Sequence, residues 1–164
     1  MSATRETCGE DINTLRRILR ESRVLAVVGL SAQWHRPSHF AAKYMLEHGY
    51  DVIPVNPQYR EVLGRKCYAS LREIPQKVDL VDVFRKTAEV MPIAEDAIAI
   101  GARVFWQQLG VTNAEAAARA RAAGLETVMD RCVKIEHGRL FGGLNWVGVN
   151  TRVISAKRPK WLAY

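Results

Sequence analysis

Val24-Leu-Ala-Val-Val-Gly-Leu30 is a near-continuous apolar run that ends on glycine, and Ser31-Ala-Gln-Trp-His-Arg-Pro-Ser38 follows it directly. An uninterrupted run of this length suits a strand buried on both faces of a sheet. It is too short to cross a bilayer. Pro37 can occupy the first turn of a helix, where its missing N–H is no loss. That helix is predicted to run through Phe40, Ala41, Tyr44 and Met45 and to stop at Gly49, placed for a left-handed C-terminal cap. The stretch therefore reads as strand, loop and helix in sequence.

The same alternation continues outward. Apolar strand-like runs recur at Asp51–Val55, Asp79–Phe84, Arg103–Trp106 and Glu126–Met129. Ile12, Leu15, Ile18 and Leu19 form the stripe of a helix ahead of the first strand. Ile93, Ala97 and Ile98 mark a third helix, with Pro92 tolerable near its start. Asn113 caps an alanine-rich helix over Ala114–Ala123 that Gly124 closes, and a short helix is expected over Arg131–His137. Strands alternating with such helices imply βαβ units. The expected fold is α/β: a Rossmann-like five-stranded parallel sheet, order 3-2-1-4-5, with helices on both faces. With no repeat, low-complexity tract or linker, residues 1–164 read as one domain, its core at about 20–140.

Composition narrows the setting. Of 164 residues, 48% are apolar and 25% charged, the balance of a folded domain rather than a disordered chain. The N-terminal residues mix acids and bases and lack an apolar signal core. Three cysteines (Cys8, Cys67 and Cys132) show no CxxC spacing, which favours reduced thiols. A cytoplasmic protein without a membrane partner is the expectation. The net charge of +7 points to an anionic ligand. Nucleic acid is disfavoured because the basic residues are scattered, apart from Lys157, Arg158 and Lys160 in a tail expected to be solvated, and no basic helix appears.

Parallel sheets bind ligands beyond the carboxyl ends of their strands. After the first strand, Gly29 would admit a close approach to the backbone, Ser31 offers a hydroxyl, and Arg36 stands beside the N-terminus of the helix that includes Ser38. Together they suit a pyrophosphate. The dinucleotide fingerprint is absent, since Ser31 and Trp34 stand where glycines would follow Gly29. No acid ends the second strand; Asn56-Pro57 does, with Asn56 able to bond a ribose or base edge. The basic residues Arg60, Arg65 and Lys66 lie beyond and could take a ribose phosphate, a feature of NADP and of coenzyme A. Phe84 and Arg85 after the third strand could pack on a base or a ligand arm and pair with phosphate. Trp106, Gln107 and Gln108 after the fourth suit an amide-bearing apolar tail.

The ordered series Val28-Gly-Leu-Ser31, Arg36-Pro-Ser-His39, Gly49-Tyr-Asp-Val-Ile-Pro-Val-Asn-Pro57, Val78-Asp-Leu-Val-Asp-Val-Phe-Arg85, Gly101-Ala-Arg-Val-Phe-Trp106 and Met129-Asp-Arg-Cys132 resembles the small stand-alone CoA-binding proteins. Their domain is related to the nucleotide-binding domain of succinyl-CoA synthetase α subunits. The resemblance covers about residues 20–140. It implies that Gly29, Leu30, Ser31 and Arg36 receive the pyrophosphate and that Asn56, Pro57 and Tyr59 lie near the adenosine. It also implies ligand contacts from Val83, Phe84 and Arg85, and from Trp106 with Gln108. Gln33-Trp-His35 departs from the small or polar residues of many relatives. The function implied is a non-catalytic module that binds coenzyme A or acyl-CoA through its ADP moiety, with no protein partner specified.

Catalytic alternatives are weaker. Cys132 and Glu136 share a helix face, but His137 lies about 140° from Cys132 at roughly 100° per residue, so no base reaches the sulfur. Cys132 is expected to pack as a structural thiol. His35 and His39 lack a third metal ligand, and Ser31 lacks the Gly-x-Ser-x-Gly elbow. The opposing hypotheses are an NADP-dependent reductase and a CoA-dependent acyl-transfer enzyme.

Overall fold

The computed structural model describes residues 11–142. Helix α1 (Ile12–Glu21) starts where the Asp11 carboxylate accepts the Thr14 N–H, at 3.1 Å. It buries Leu15, Ile18 and Leu19, while Ile12 of the expected stripe stays exposed. Strand β1 (Val24–Val28) and helix α2 (Pro37–Glu47) follow, then β2 (Asp51–Val55). A small antiparallel ribbon, β3 (Glu61–Val62) and β4 (Arg65–Lys66), precedes β5 (Leu80–Val83). The chain continues through α3 (Val90–Ala99), β6 (Val104–Gln107), α4 (Ala114–Ala122), β7 (Glu126–Val128) and α5 (Val133–Phe141). The last helix begins two residues later than expected and ends at Phe141.

Strands β2-β1-β5-β6-β7 form one five-stranded parallel sheet. Leu15, Ile18 and Leu19 of α1, Ala41, Ala42 and Met45 of α2, and Val133 and Leu140 of α5 pack on one side. Val90, Ala94 and Ala97 of α3 and Ala116 and Ala120 of α4 pack on the other. The α/β class, the parallel sheet and the two helical layers are as expected.

The order differs in the placing of one strand. Counting only the strands of the sheet, it is 2-1-3-4-5 rather than 3-2-1-4-5, so β2 is an edge and β5 lies against β1. Pro54 gives the reason. A proline has no N–H to donate and is confined to edge strands and bulges. Here its register partner on β1 is Val27, and its carbonyl points away from β1 to accept the Tyr68 N–H at 3.0 Å. In an interior second strand that outer side would face another ladder. The reversal of strand order consequently falls between β1 and β5, and a crevice opens at their carboxyl ends.

Candidate functional site

A cavity of about 720 Å³ occupies that crevice and extends across the carboxyl ends of all five strands. Asn56, Gln58 and Tyr59 border it beyond β2; Gly29, Ser31 and Arg36 beyond β1; Phe84, Arg85 and Lys86 beyond β5. Gln108, Leu109 and Val111 follow beyond β6, and Cys132 and Ile135 beyond β7. The wall thus passes from polar through cationic to largely apolar, and none of its lining residues is acidic.

Gly29 has φ of +86°, and a Cβ there would come within 2.4 Å of the Phe84 carbonyl oxygen and 2.8 Å of Arg85 Cδ. The glycine is therefore required by contact between the loops after β1 and β5, in addition to lining the cavity. The loop after β1 is wired to itself. Ser31 N–H donates to Ser38 Oγ at 3.1 Å, and Gln33 N–H donates to Ser31 Oγ at 3.1 Å. Arg36 Nε donates to Gln33 Oε1 at 3.2 Å, which places the guanidinium at the start of α2. No side chain caps that helix, and Pro37 is its first residue.

Asn56 is buried, and both ends of its amide are committed. Nδ2 donates to the Leu30 carbonyl at 3.1 Å, and Oδ1 accepts the Gln58 N–H at 3.0 Å. It braces the loops rather than presenting a free hydrogen-bonding edge. Arg85 reaches Glu89 at 3.0 Å in an ion pair exposed by 41% and 46%, so water and a ligand can both compete for the guanidinium.

Of the residues expected at the site, Gly29, Ser31, Arg36, Ser38, Asn56, Tyr59, Phe84, Arg85 and Gln108 line the cavity. Pro57 borders a smaller neighbouring pocket with Arg85 and Glu89. Leu30, Val83 and Trp106 are fully buried in the core. The Trp106 indole N–H donates to the Arg131 carbonyl at 2.7 Å, so its polar edge is spent under β7. Gln107 is buried as well; its amide exchanges hydrogen bonds with the Asn113 backbone at 2.7 and 2.9 Å and pins the start of α4. Arg65 pairs with Asp51, and Lys66 stacks over Tyr68, both beside a separate pocket.

Lys86, Gln58, Leu109 and Ile135 join the cavity without having been singled out by sequence. Cys132 also lines it, at the N-cap of α5, instead of packing beneath that helix. Burial pushes its thiol above the ordinary range, and the Asp82 carboxylate adds to the rise. His137 has its Nδ1 3.0 Å from the Tyr44 hydroxyl and its ring against Phe141. Glu136 is buried between Arg131 and Arg139. Among the described residues no group of three His, Cys, Asp or Glu side chains is arranged for a metal, and no helix is long and apolar enough to cross a membrane. Cys8 and the basic tail lie outside the described residues.

A parallel sheet with a cation-lined cavity at its switch point places the chain in the Rossmann-like class. More narrowly, it belongs to the CoA binding domain family, whose model it matches over residues 23–138. It is 42% identical over 123 residues to the Bacillus subtilis protein YneT, covering 75% of this chain and 91% of that one. A hypothetical protein from Pyrococcus horikoshii shares the fold with a TM-score of 0.81 and 46% identity, over 87% of this chain and all of the other. Small stand-alone relatives are thus part of the family. Over 72 residues the chain is also 38% identical to an ADP-forming acetate–CoA ligase of Archaeoglobus fulgidus, covering 44% of this chain and a tenth of that enzyme.

Proposed function

We propose that the protein is a non-catalytic module that binds coenzyme A or acyl-CoA through its ADP moiety. One observation carries the reading: the graded wall of the cavity matches the order of chemical groups along that ligand. Polar groups beyond β2 suit the adenosine. Arg36, Arg85 and Lys86 suit the phosphates, with the N-terminal dipole of α2 beside them. Gln108, Leu109, Val111 and Ile135 suit the pantetheine arm, which combines amides with an apolar stem. Its thiol end would then point toward Cys132.

Titration calorimetry with CoA, NAD and NADP tests the reading. CoA is expected to bind at least about tenfold more tightly than either dinucleotide, a difference of about 1.4 kcal/mol. NADP binding as tightly as CoA would favour the reductase alternative.

The thiol in the cavity is the observation that favours a second reading, acyl transfer. Against it stands the raised pKa, because the thiolate is the nucleophile and burial suppresses it. Incubation with acetyl-CoA is expected to leave the intact mass unchanged. A stable acetyl adduct that disappears in Cys132→Ala would make this protein an acyl-transfer enzyme instead.

A further inference from the structure

Asp82 lies in the middle of β5, between Val27 of β1 and Trp106 of β6, and is only 1% exposed. Its Oδ1 accepts Gln108 Nε2–H at 2.6 Å. Its Oδ2 is buried and has no hydrogen-bond partner among the described residues. A carboxyl group so placed is costly, since nothing replaces the water lost from Oδ2. What it accomplishes is visible on Gln108.

Gln108 follows β6 directly, is 3% exposed, and lines the cavity between the cations beyond β5 and Cys132 beyond β7. Gln108 turns its NH₂ group toward Asp82, and above about pH 7, where the carboxyl is ionised and only accepts hydrogen bonds, the opposite orientation of the amide is excluded. Its Oε1 is then turned away from that carboxylate oxygen. No described residue donates to that oxygen, and it is not sealed off as Asp82 Oδ2 is. On a side chain that lines the cavity, this leaves Oε1 as an uncommitted hydrogen-bond acceptor next to a cluster of cations. Phosphate oxygens cannot use an acceptor. An amide N–H can.

We propose that Asp82 is a positioning residue that holds the Gln108 carbonyl oxygen toward the cavity, so that the site selects a ligand carrying an amide-bearing arm beyond its phosphates. The inference rests on the CoA reading and deepens it, because the pantetheine arm of CoA supplies such N–H groups. In Asp82→Asn the new side chain meets Gln108 in either sense, as donor or acceptor, and Oε1 is no longer held outward.

The test uses two probes, CoA and adenosine 3′-phosphate 5′-diphosphate, which is CoA without its arm. Each is titrated into the parent, Asp82→Asn and Gln108→Leu by calorimetry at pH 8, where Asp82 is ionised. Both variants are expected to lose about tenfold in CoA affinity, the scale of one hydrogen bond, while the armless ligand binds as it does to the parent. Undiminished preference for CoA in the variants overturns the proposal. So does a parallel loss for both ligands, which would mark a general disturbance of the fold. If Asp82→Asn does not fold, Gln108→Leu decides by the same two outcomes. A parent that binds neither probe refutes the CoA reading itself, and that result is distinct from the others.

Discussion

Asp82→Asn is expected to abolish a fall in stability that the parent shows between about pH 4 and pH 7, and to leave the variant the more stable protein at pH 8. Burial pushes the Asp82 carboxyl up to about 7, against an ordinary value of 3.8, and the hydrogen bond from Gln108 offsets only part of the rise. Between those two values the unfolded chain has released a proton that the folded chain still holds, so rising pH favours unfolding. Each pH unit costs about 1.4 kcal/mol, and the whole interval costs on the order of 4 kcal/mol. Above pH 7 both states are ionised and the slope ends. Asparagine does not titrate, but whichever end of its amide faces away from Gln108 stands in the place of the orphaned Oδ2 and costs about 1–3 kcal/mol if unpaired. The net gain at pH 8 is therefore on the order of 1–3 kcal/mol, and the two stability curves cross at lower pH. Urea unfolding of both proteins at intervals from pH 4.5 to 8.5 measures this. Parallel curves would mean that Asp82 ionises in the native state as easily as it does in water.

The fold was legible because its strands are buried on both faces. Val24–Val28, Leu80–Val83 and Val104–Gln107 are almost wholly buried, so they read as apolar runs bounded by polar turns and glycines. The expected strand order, 3-2-1-4-5, differed from the observed one because it came from the fold class and took no account of one residue. Pro54 in the second strand excludes it from the interior of the sheet and so fixes the edge. The β3–β4 ribbon escaped detection for a different reason. Each strand has two residues, too few for a period. The turn joining them puts Leu63 at φ of 54° beside Gly64 at 70°, a conformation leucine does not announce.

The site was legible as a location and less so as a set of side chains. Counting from the strand ends found the crevice, but a fully buried strand gives no alternation to show which way a side chain turns. Trp106 and Val83 therefore looked available and proved to be core. Lys86, Gln58 and Leu109 lie a residue or more beyond the positions that strand-end reading favours, where the backbone has left the sheet. Asn56 was the reverse case. Its amide chemistry was recognised, but its partners, Leu30 and Gln58, exist only once the loops meet. Asp82 carries no signal in the sequence because it sits inside an apolar run, where an acid reads as an interruption, and its partner Gln108 is 26 residues away.

The double substitution Arg36→Ala with Arg85→Ala is expected to reduce CoA affinity by about a thousandfold at low salt. Each guanidinium reaches the cavity from a different loop: Arg36 from the start of α2, steadied by Gln33, and Arg85 from the end of β5. A charge-assisted hydrogen bond to phosphate contributes about 1.5–3 kcal/mol, so two of them account for on the order of 3–6 kcal/mol. Removing Arg85 also frees Glu89 from its 3.0 Å ion pair and leaves an uncompensated carboxylate close by, which adds repulsion to the lost attraction. Salt should mimic part of this loss in the parent, because the Debye length shrinks from about 10 Å at 0.1 M to 3 Å at 1 M. The double variant, with fewer charges facing the phosphates, should respond less steeply to salt. Lys43→Ala serves as the charge control: its ammonium lies on α2, 3.9 Å from Glu47, and does not line the cavity. Calorimetry of the three proteins at two salt concentrations separates the cases. A double variant that binds CoA within about threefold of the parent would place the phosphates outside this cavity. A loss matched by Lys43→Ala would trace it to net charge instead of to the two arginines.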